Sequence, residues 1–305
     1  MSKKIATLIG LSAIALWSLI AGLIKKVTLN IDADLGITLV YTCSALFVLA
    51  IFKFPDFRLI SKKYLFWGTI LFVSYELSFA FAIAYAENPQ QAIEVNIINY
   101  LWPSLTIVAF IFIKELKFNF LVIIGLLISI SGIIYIQSGE EGFNLYGIIN
   151  NSQSNPLSYG LAFTAAIIWA FYCVVTKKMS NGHNPISIFF IAAALTLWCK
   201  LIIFQSISIP TLQLSTSVYI LVAALVVGLG YGAWNIGIVH GNITILVAAS
   251  YFSPILSSIS SMIILQTHLS ASFWYGTWMV ILGSLICWIS TNWHNIKPRL
   301  DKLSL

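Results

Sequence analysis

Long apolar runs, separated by short polar segments, recur along the whole chain. Ten of these runs approach the length of a helix that crosses the hydrocarbon core of a bilayer, which needs about 20 residues. They lie at about residues 5–24, 35–53, 64–86, 92–113, 119–137, 157–178, 185–204, 216–238, 244–265 and 270–291. The runs are continuously apolar rather than alternating, so they predict membrane-spanning helices and not the strands of a barrel.

Turn-forming and charged residues fall between the runs, where hydrocarbon does not reject them. The longest polar segment separates the fifth run from the sixth. We therefore expect a first five-helix unit at residues 1–137, a connecting loop at 138–156, and a second five-helix unit with a short tail at 157–305.

The positions of Lys and Arg predict the orientation of the chain. If the N-terminus is inside, 13 of the 16 Lys and Arg residues are on the inner side, and only Lys25, Lys26 and Lys200 are outside. Cytoplasmic segments of membrane proteins carry an excess of these residues. We expect a multi-pass protein of a bacterial inner membrane, with both termini in the cytoplasm and the 138–156 loop in the periplasm.

The composition agrees with a membrane protein. The 305 residues are 59% hydrophobic and 9% charged, with a mean hydropathy of +0.94, which excludes an ordinary soluble domain. The net charge of +6 follows from the topology and does not indicate nucleic-acid binding. The four cysteines lie in apolar runs without CxxC spacing, so the sequence predicts neither a disulfide framework nor a metal site, and no cofactor is indicated.

The two halves of the chain share weak internal similarity. An offset of 151 residues aligns Tyr100 with Tyr251, Pro103 with Pro254, Glu115 with Gln266, Gly125 with Gly276, and Gly132 with Gly283. An offset of 152 residues aligns Trp17 with Trp169, and Lys25 and Lys26 with Lys177 and Lys178. Since each half has an odd number of spans, the second half would enter the membrane from the opposite side. Inverted repeats of this kind surround the central site of many secondary transporters. Chance similarity between apolar sequences is the alternative.

Two carboxylates lie within predicted spans. A carboxylate in the membrane is costly unless it is protonated, paired or hydrated, so Glu76 and Glu94 should face the interior of the bundle. Glu76 could exchange a proton or hold an ammonium group, or it could be a structural hydrogen-bonding residue. Glu94 is nearer the outer interface, which favours a structural or gating role.

Several other residues could line a path through the bundle. Pro103 and Pro254 interrupt corresponding helices and could expose backbone groups or gate the path, although each could be a simple kink. Trp17 and Trp169 lie in the middle of their spans, where they could stack on a substrate or form ordinary core. Asn235 follows a glycine-rich stretch that is typical of close helix packing.

A family resemblance is carried by segments from both halves, in order: residues 10–18 (GLSAIALWS), 92–103 (AIEVNIINYLWP), 157–159 (LSY), 233–238 (AWNIGI) with 240–242 (HGN), and 250–252 (SYF). Together they resemble the bacterial aromatic amino-acid exporters of the drug/metabolite transporter superfamily. The resemblance implies an all-α membrane protein with ten helices, built as two inverted five-helix repeats around a central cavity. It also implies that the cavity involves Trp17, Tyr75, Trp102, Trp169 and Ser250, to which we add Glu76 and Asn235 from the residues themselves.

We therefore expect export of Phe, Tyr and Trp by alternating access. The substrate ring would lie among Trp17, Trp102 and Trp169, and its zwitterionic end would meet Ser250, Asn235, Tyr75 and backbone near Pro103 and Pro254. A multidrug or organic-cation exporter, with Glu76 as the counter-charge, is the main alternative. A non-transporting scaffold is another, and an intramembrane enzyme is disfavoured because the spans contain no catalytic constellation. The pattern leaves the oligomeric state and proton coupling open.

Overall fold

The computed structural model describes residues 1–137, 145–183, 185–204 and 212–300, which form thirteen α-helices and no strand. The helices are α1 (Lys3–Thr28), α2 (Ala33–Phe52), α3 (Lys62–Ala84), α4 (Pro89–Asn99), α5 (Trp102–Phe112), α6 (Phe120–Ile136), α7 (Leu145–Ser154), α8 (Pro156–Met179), α9 (Ile186–Phe204), α10 (Leu214–His240), α11 (Ile243–Ser250), α12 (Ser253–Leu265) and α13 (Ala271–Leu300).

Eight segments of the described chain are helical, long and apolar enough to cross a membrane. One of the eight is Pro89–Phe112, which comprises α4 and α5. Two more apolar helices, α6 and α12, are shorter. This all-helical architecture agrees with the prediction of an all-α membrane protein.

The segment predicted to be a connecting loop contains a helix. Leu145–Ser154 forms α7, which has ten residues, and residues 138–144 of the same segment lie outside the described part of the chain. A helix of ten residues is about 15 Å long, too short to span. The hydrophobic pattern did not predict α7 because it has no long apolar run.

Asparagine and proline define where two of the helices begin. The Oδ1 atom of Asn88 accepts from the backbone N–H of Gln91, and Oδ1 of Asn155 accepts from that of Ser158. A proline follows each asparagine, at the first position of α4 and of α8. There it needs no hydrogen-bond partner, and its fixed φ suits the helix. Each Asn-Pro pair thus sets the start of a helix.

The outside of the bundle is apolar, as is expected for a surface in contact with lipid. Large side chains such as Phe112 and Leu214 are 81% and 82% exposed. The interior is also apolar, and its largest cluster includes the fully buried rings of Phe72, Phe189 and Phe190. In water so much exposed apolar surface would cause association, so the lipid bilayer is the solvent that fits this exterior.

The helices of the first half pack mainly on helices of the second half. α1 packs along α10, α3 along α8, α2 along α9 and α6 along α13. α1 also contacts α12, and α5 contacts α8. The core is therefore shared between the halves of the chain.

Four glycines allow the backbones of α6 and α13 to approach closely. A Cβ atom at Gly125 would lie 2.5 Å from the carbonyl oxygen of Gly283, and one at Gly132 would lie 2.6 Å from that of Gly276. Real Cβ atoms do not approach so closely, so any side chain would force the helices apart. Small residues allow this close packing in membranes, where no hydrophobic force drives the association of helices.

We predict that Gly125→Ala lowers the thermal unfolding midpoint in detergent, because the added methyl group would overlap the backbone of α13. Overpacking of this kind costs about 1–3 kcal/mol. Gly160→Ala is the matched control, because a Cβ there meets nothing within 4 Å. Equal midpoints for the two variants would contradict the close approach of α6 and α13.

Candidate functional site

A cavity of about 440 Å³ lies inside the bundle. Nine helices contribute to its walls: α1, α3, α4, α5, α8, α10, α11, α12 and α13. The contribution of α11 is Ser250, its last residue. Volumes of about 300–1,000 Å³ are typical of small-molecule sites, so the cavity is of the right size for a small solute.

Two interrupted helices border the cavity. α4 ends at Asn99 and α5 begins at Trp102, while α11 ends at Ser250 and α12 begins at Ser253. A proline is the second residue of α5 and of α12. Because proline has no N–H, it cannot donate to the carbonyl four residues earlier, as a regular helix requires. Backbone polar groups are therefore concentrated at the two breaks.

One wall of the cavity is an aromatic cluster around Trp17. The Trp17 ring lies 5.4 Å from that of Tyr231 and 5.1 Å from that of Trp234, measured between centroids. Gly230 makes room for this indole, because a Cβ at that position would lie 2.6 Å from Trp17 Nε1. The glycine-rich stretch of α10 thus admits an aromatic side chain of α1 as well as permitting close helix packing.

A second aromatic cluster surrounds Trp169. Its ring lies 4.3 Å from Tyr75, 6.4 Å from Trp102 and 6.0 Å from Tyr231. Tyr231 therefore contacts both tryptophans and connects the two clusters. Aromatic pairs at 4.5–7 Å stabilise one another by about 0.5–1.5 kcal/mol beyond their buried area, so these walls are held in place by their own contacts.

The carboxyl group of Glu76 is held by two tyrosines. Tyr41 donates to its Oε2 atom at 2.5 Å, and Tyr231 donates to its Oε1 atom. Glu76 is only 3% exposed, yet it lines the cavity. Because both oxygens accept hydrogen bonds, the carboxyl group joins α3 to α2 and α10.

Two residues of the cavity lining each have a buried polar atom without a hydrogen-bond partner among the described residues: Trp17 at Nε1 and Asn99 at Oδ1. The amide nitrogen of Asn99 donates to Oη of Tyr75 at 3.3 Å. A nearby amide, that of Asn96, donates to Oγ of Ser257 at 2.9 Å. The lining is thus mainly aromatic, with few polar groups.

Polar contacts join the adjoining ends of α1, α3, α4 and α8. The Lys25 ammonium group donates to the carbonyl groups of Ala84, the last residue of α3, and of Ala86. Glu94 accepts from Tyr159 at 3.0 Å, and from Gln90 at the same distance. These contacts join neighbouring helices, and Glu94 is not among the residues of the cavity lining.

The structure brings together most of the residues that the sequence predicts for the site. The cavity lining includes Trp17, Tyr75, Glu76, Trp102, Pro103, Trp169, Ser250 and Pro254. Asn235 lies in α10, but its side chain is outside the described part of the structure. Within the described residues no group of three or more His, Cys, Asp or Glu side chains could hold a metal ion.

Sequence reasoning did not assign Tyr231 to the site. Tyr231 and Trp234 are three residues apart on α10, so they share one helix face, and both line the cavity. The available signal was an aromatic residue flanked by Gly230 and Gly232. Small neighbours leave space around a ring, but they do not indicate what occupies that space.

Comparison with known proteins gives consistent results. The model of the EamA-like transporter family matches residues 156–289. The aromatic amino acid exporter YddG of Salmonella typhimurium is 43% identical over 95% of this chain and 99% of that protein, and that of Escherichia coli is 44% identical over the same shares. That of Ancylobacter novellus is 25% identical over 85% of this chain and 88% of that protein.

One protein of known crystal structure shares the fold. It superposes with a TM-score of 0.65 at 21% identity, covering 94% of this chain and 97% of that chain. At this identity the likeness concerns the fold alone. The nearly full-length identity to the Salmonella and Escherichia proteins carries the assignment: the chain belongs to the family of these aromatic amino acid exporters, and its residues 156–289 match the EamA-like transporter model.

Proposed function

We propose that this protein exports aromatic amino acids across a bacterial inner membrane, as a secondary transporter that works by alternating access. The observation that carries the proposal is the cavity of about 440 Å³ inside an apolar helical bundle, with eight tryptophan and tyrosine residues on its walls. The names of the relatives in Salmonella and Escherichia support the same substrate class.

Aromatic walls suit the requirements of a carrier. Each ring-on-ring contact with a substrate contributes about 0.5–1.5 kcal/mol, so contacts with Trp17, Trp102 and Trp169 would add up to weak binding. A dissociation constant of 1 mM corresponds to about 4 kcal/mol. Weak binding lets a carrier release its substrate on the far side of the membrane.

The arrangement that we propose is two inverted five-helix repeats, residues 1–137 and 157–305, joined by residues 138–156. The glycine contacts between α6 and α13 support it. The offset of 151 residues converts the Gly125–Gly283 pair into the Gly276–Gly132 pair, and both close approaches exist. The internal repeat also relates α1 to α8 and α3 to α10. It therefore exchanges the contact between α1 and α10 with the contact between α8 and α3, and both contacts exist.

An inverted repeat allows the cavity to open alternately to the two sides of the membrane. If each half adopts the conformation of the other, the cavity closes on one side and opens on the opposite side. We place both termini in the cytoplasm, since this puts most Lys and Arg residues inside. In this orientation the hydrogen bonds of Lys25 and Glu94 are on the periplasmic side of the bundle. Pro103 and Pro254, at the two helix breaks, lie where the halves would move relative to each other.

Glu76 is the residue that an organic-cation exporter would use as its counter-charge. Both of its oxygens, however, already accept from tyrosine hydroxyl groups, so a cation would have to share the carboxyl group with these two donors. Since Tyr231 also contacts Trp17 and Trp169, the Glu76 contacts fix the aromatic walls. This arrangement favours a zwitterionic substrate over a cation.

Trp102→Ala should lower tryptophan efflux from proteoliposomes by about tenfold at substrate concentrations below the KM, since it removes one stacking surface from the cavity. The matched control is Trp67→Ala, because Trp67 is half exposed on the outside of α3. Both variants should insert in the membrane in equal amounts. If Trp102→Ala transports tryptophan as fast as Trp67→Ala, the aromatic cavity is not the substrate site.

Tyr231→Phe should destabilise the protein, because it leaves one oxygen of the buried Glu76 carboxyl group without its donor while retaining the ring. Such a loss costs about 1–3 kcal/mol and should appear as a lower thermal midpoint in detergent. Tyr275→Phe is the control, since Tyr275 is exposed. Unchanged midpoints in both variants would show that the Tyr231–Glu76 contact does not stabilise the cavity wall.

A further inference from the structure

The side chain of Asn99 occupies an unusual position at the edge of the cavity. Asn99 is the last residue of α4, directly before the helix break, and is only 4% exposed. Its Nδ2 atom donates to Oη of Tyr75, whereas Oδ1 has no partner among the described residues. A buried acceptor without a partner costs about 1–3 kcal/mol, so a ligand that supplies a donor there would be stabilised.

The electrostatic environment of Asn99 favours a positively charged donor. The C-terminal end of a helix carries a partial negative charge, equivalent to roughly half an electron, on carbonyl groups that lack intrahelical partners. α4 ends at Asn99, and Pro103 cannot donate to the Asn99 carbonyl group as a regular helix residue would. Asn99 is therefore part of the C-terminal end of α4, whose partial charge is negative, while the N-terminal end of α5, with the opposite partial charge, begins at Trp102.

The indole N–H group of Trp17 offers the complementary function. Trp17 lies on α1 and lines the same cavity, and its Nε1 atom also lacks a partner. Indole nitrogen only donates, and the amide oxygen only accepts. A ligand that carries both an acceptor and a donor on one small head group could satisfy the two atoms together.

Glu76, the one carboxyl group on the described cavity lining, is already engaged. Its two oxygens accept from Tyr41 and Tyr231, which leaves the amide oxygen of Asn99 as the acceptor without a donor. A neutral acceptor binds an ammonium group through a hydrogen bond but does not neutralise its charge. An amino acid supplies the balancing negative charge with its own carboxylate.

We propose that Asn99 Oδ1 accepts a hydrogen bond from the α-ammonium group of the substrate, while the Trp17 N–H group donates to its carboxylate. This inference rests on the proposed transport of aromatic amino acids and names the residues that recognise the amino-acid head group. It makes Asn99 a specificity-determining residue, which selects zwitterions over compounds that lack the ammonium group.

The test uses three ligands that share the indole ring: tryptophan, tryptamine, which lacks the carboxylate, and indole-3-propionate, which lacks the ammonium group. Binding to the purified full-length protein is measured by isothermal titration calorimetry. Asn99→Leu should weaken the binding of tryptophan and tryptamine roughly tenfold, as expected for the loss of a hydrogen bond to a charged group, and should leave indole-3-propionate unchanged. Trp17→Phe should show the opposite selectivity, with greater losses for tryptophan and indole-3-propionate than for tryptamine.

Two further variants separate recognition from structural effects. Tyr75→Phe removes the hydroxyl group that Asn99 contacts and should preserve the ranking of the three ligands. Asn99→Asp keeps the shape and adds a negative charge, so it should bind tryptamine more tightly than the unmodified protein does, and it serves if Asn99→Leu fails to fold. Equal losses for all three ligands in the Asn99 variants, or a loss confined to indole-3-propionate, would overturn the inference. Failure of the unmodified protein to bind tryptophan would instead overturn the proposed function.

Discussion

The hydrocarbon core of a bilayer offers no hydrogen-bonding partner, and the rest of the structure depends on this constraint. Backbone groups must be satisfied within helices, so a break is tolerated only where protein or a wet cavity surrounds it. The chain has two such breaks in its described apolar helices, after Asn99 and after Ser250, and both border the same cavity. The polar backbone that lipid would exclude is thereby collected at the centre of the bundle, where a solute could use it.

The packing around the cavity combines tight and open regions. α6 and α13 approach closely at glycines, whereas tryptophan and tyrosine rings line the walls of the cavity. Tyr231 joins these rings to the carboxyl group of Glu76. The aromatic surfaces are consequently held by contacts within the wall, so that binding a substrate need not first order them.

The sequence predicted those features of the structure that depend only on residues close together in the chain. The apolar runs located the apolar helices, and Pro103 and Pro254 located the helix breaks, because a missing N–H group acts on its own helix. Tyr231 could not be found in this way, since its role depends on α10 lying against both α1 and α3. Helix α7 was missed because it is short and lacks a long apolar run. The unpaired state of the Asn99 amide oxygen likewise depends on tertiary contacts that no sequence pattern reveals.

The central claim is that an aromatic amino acid occupies the cavity during export, and Cys173 on its lining offers the most direct test. In a variant with Cys43→Ala and Cys287→Ala, Cys173 and the exposed Cys199 remain, and the rate at which maleimide alkylates each can be measured. We expect saturating tryptophan to slow the alkylation of Cys173 and to leave that of Cys199 unchanged. Unchanged alkylation of both thiols, at a tryptophan concentration that saturates export, would contradict the account.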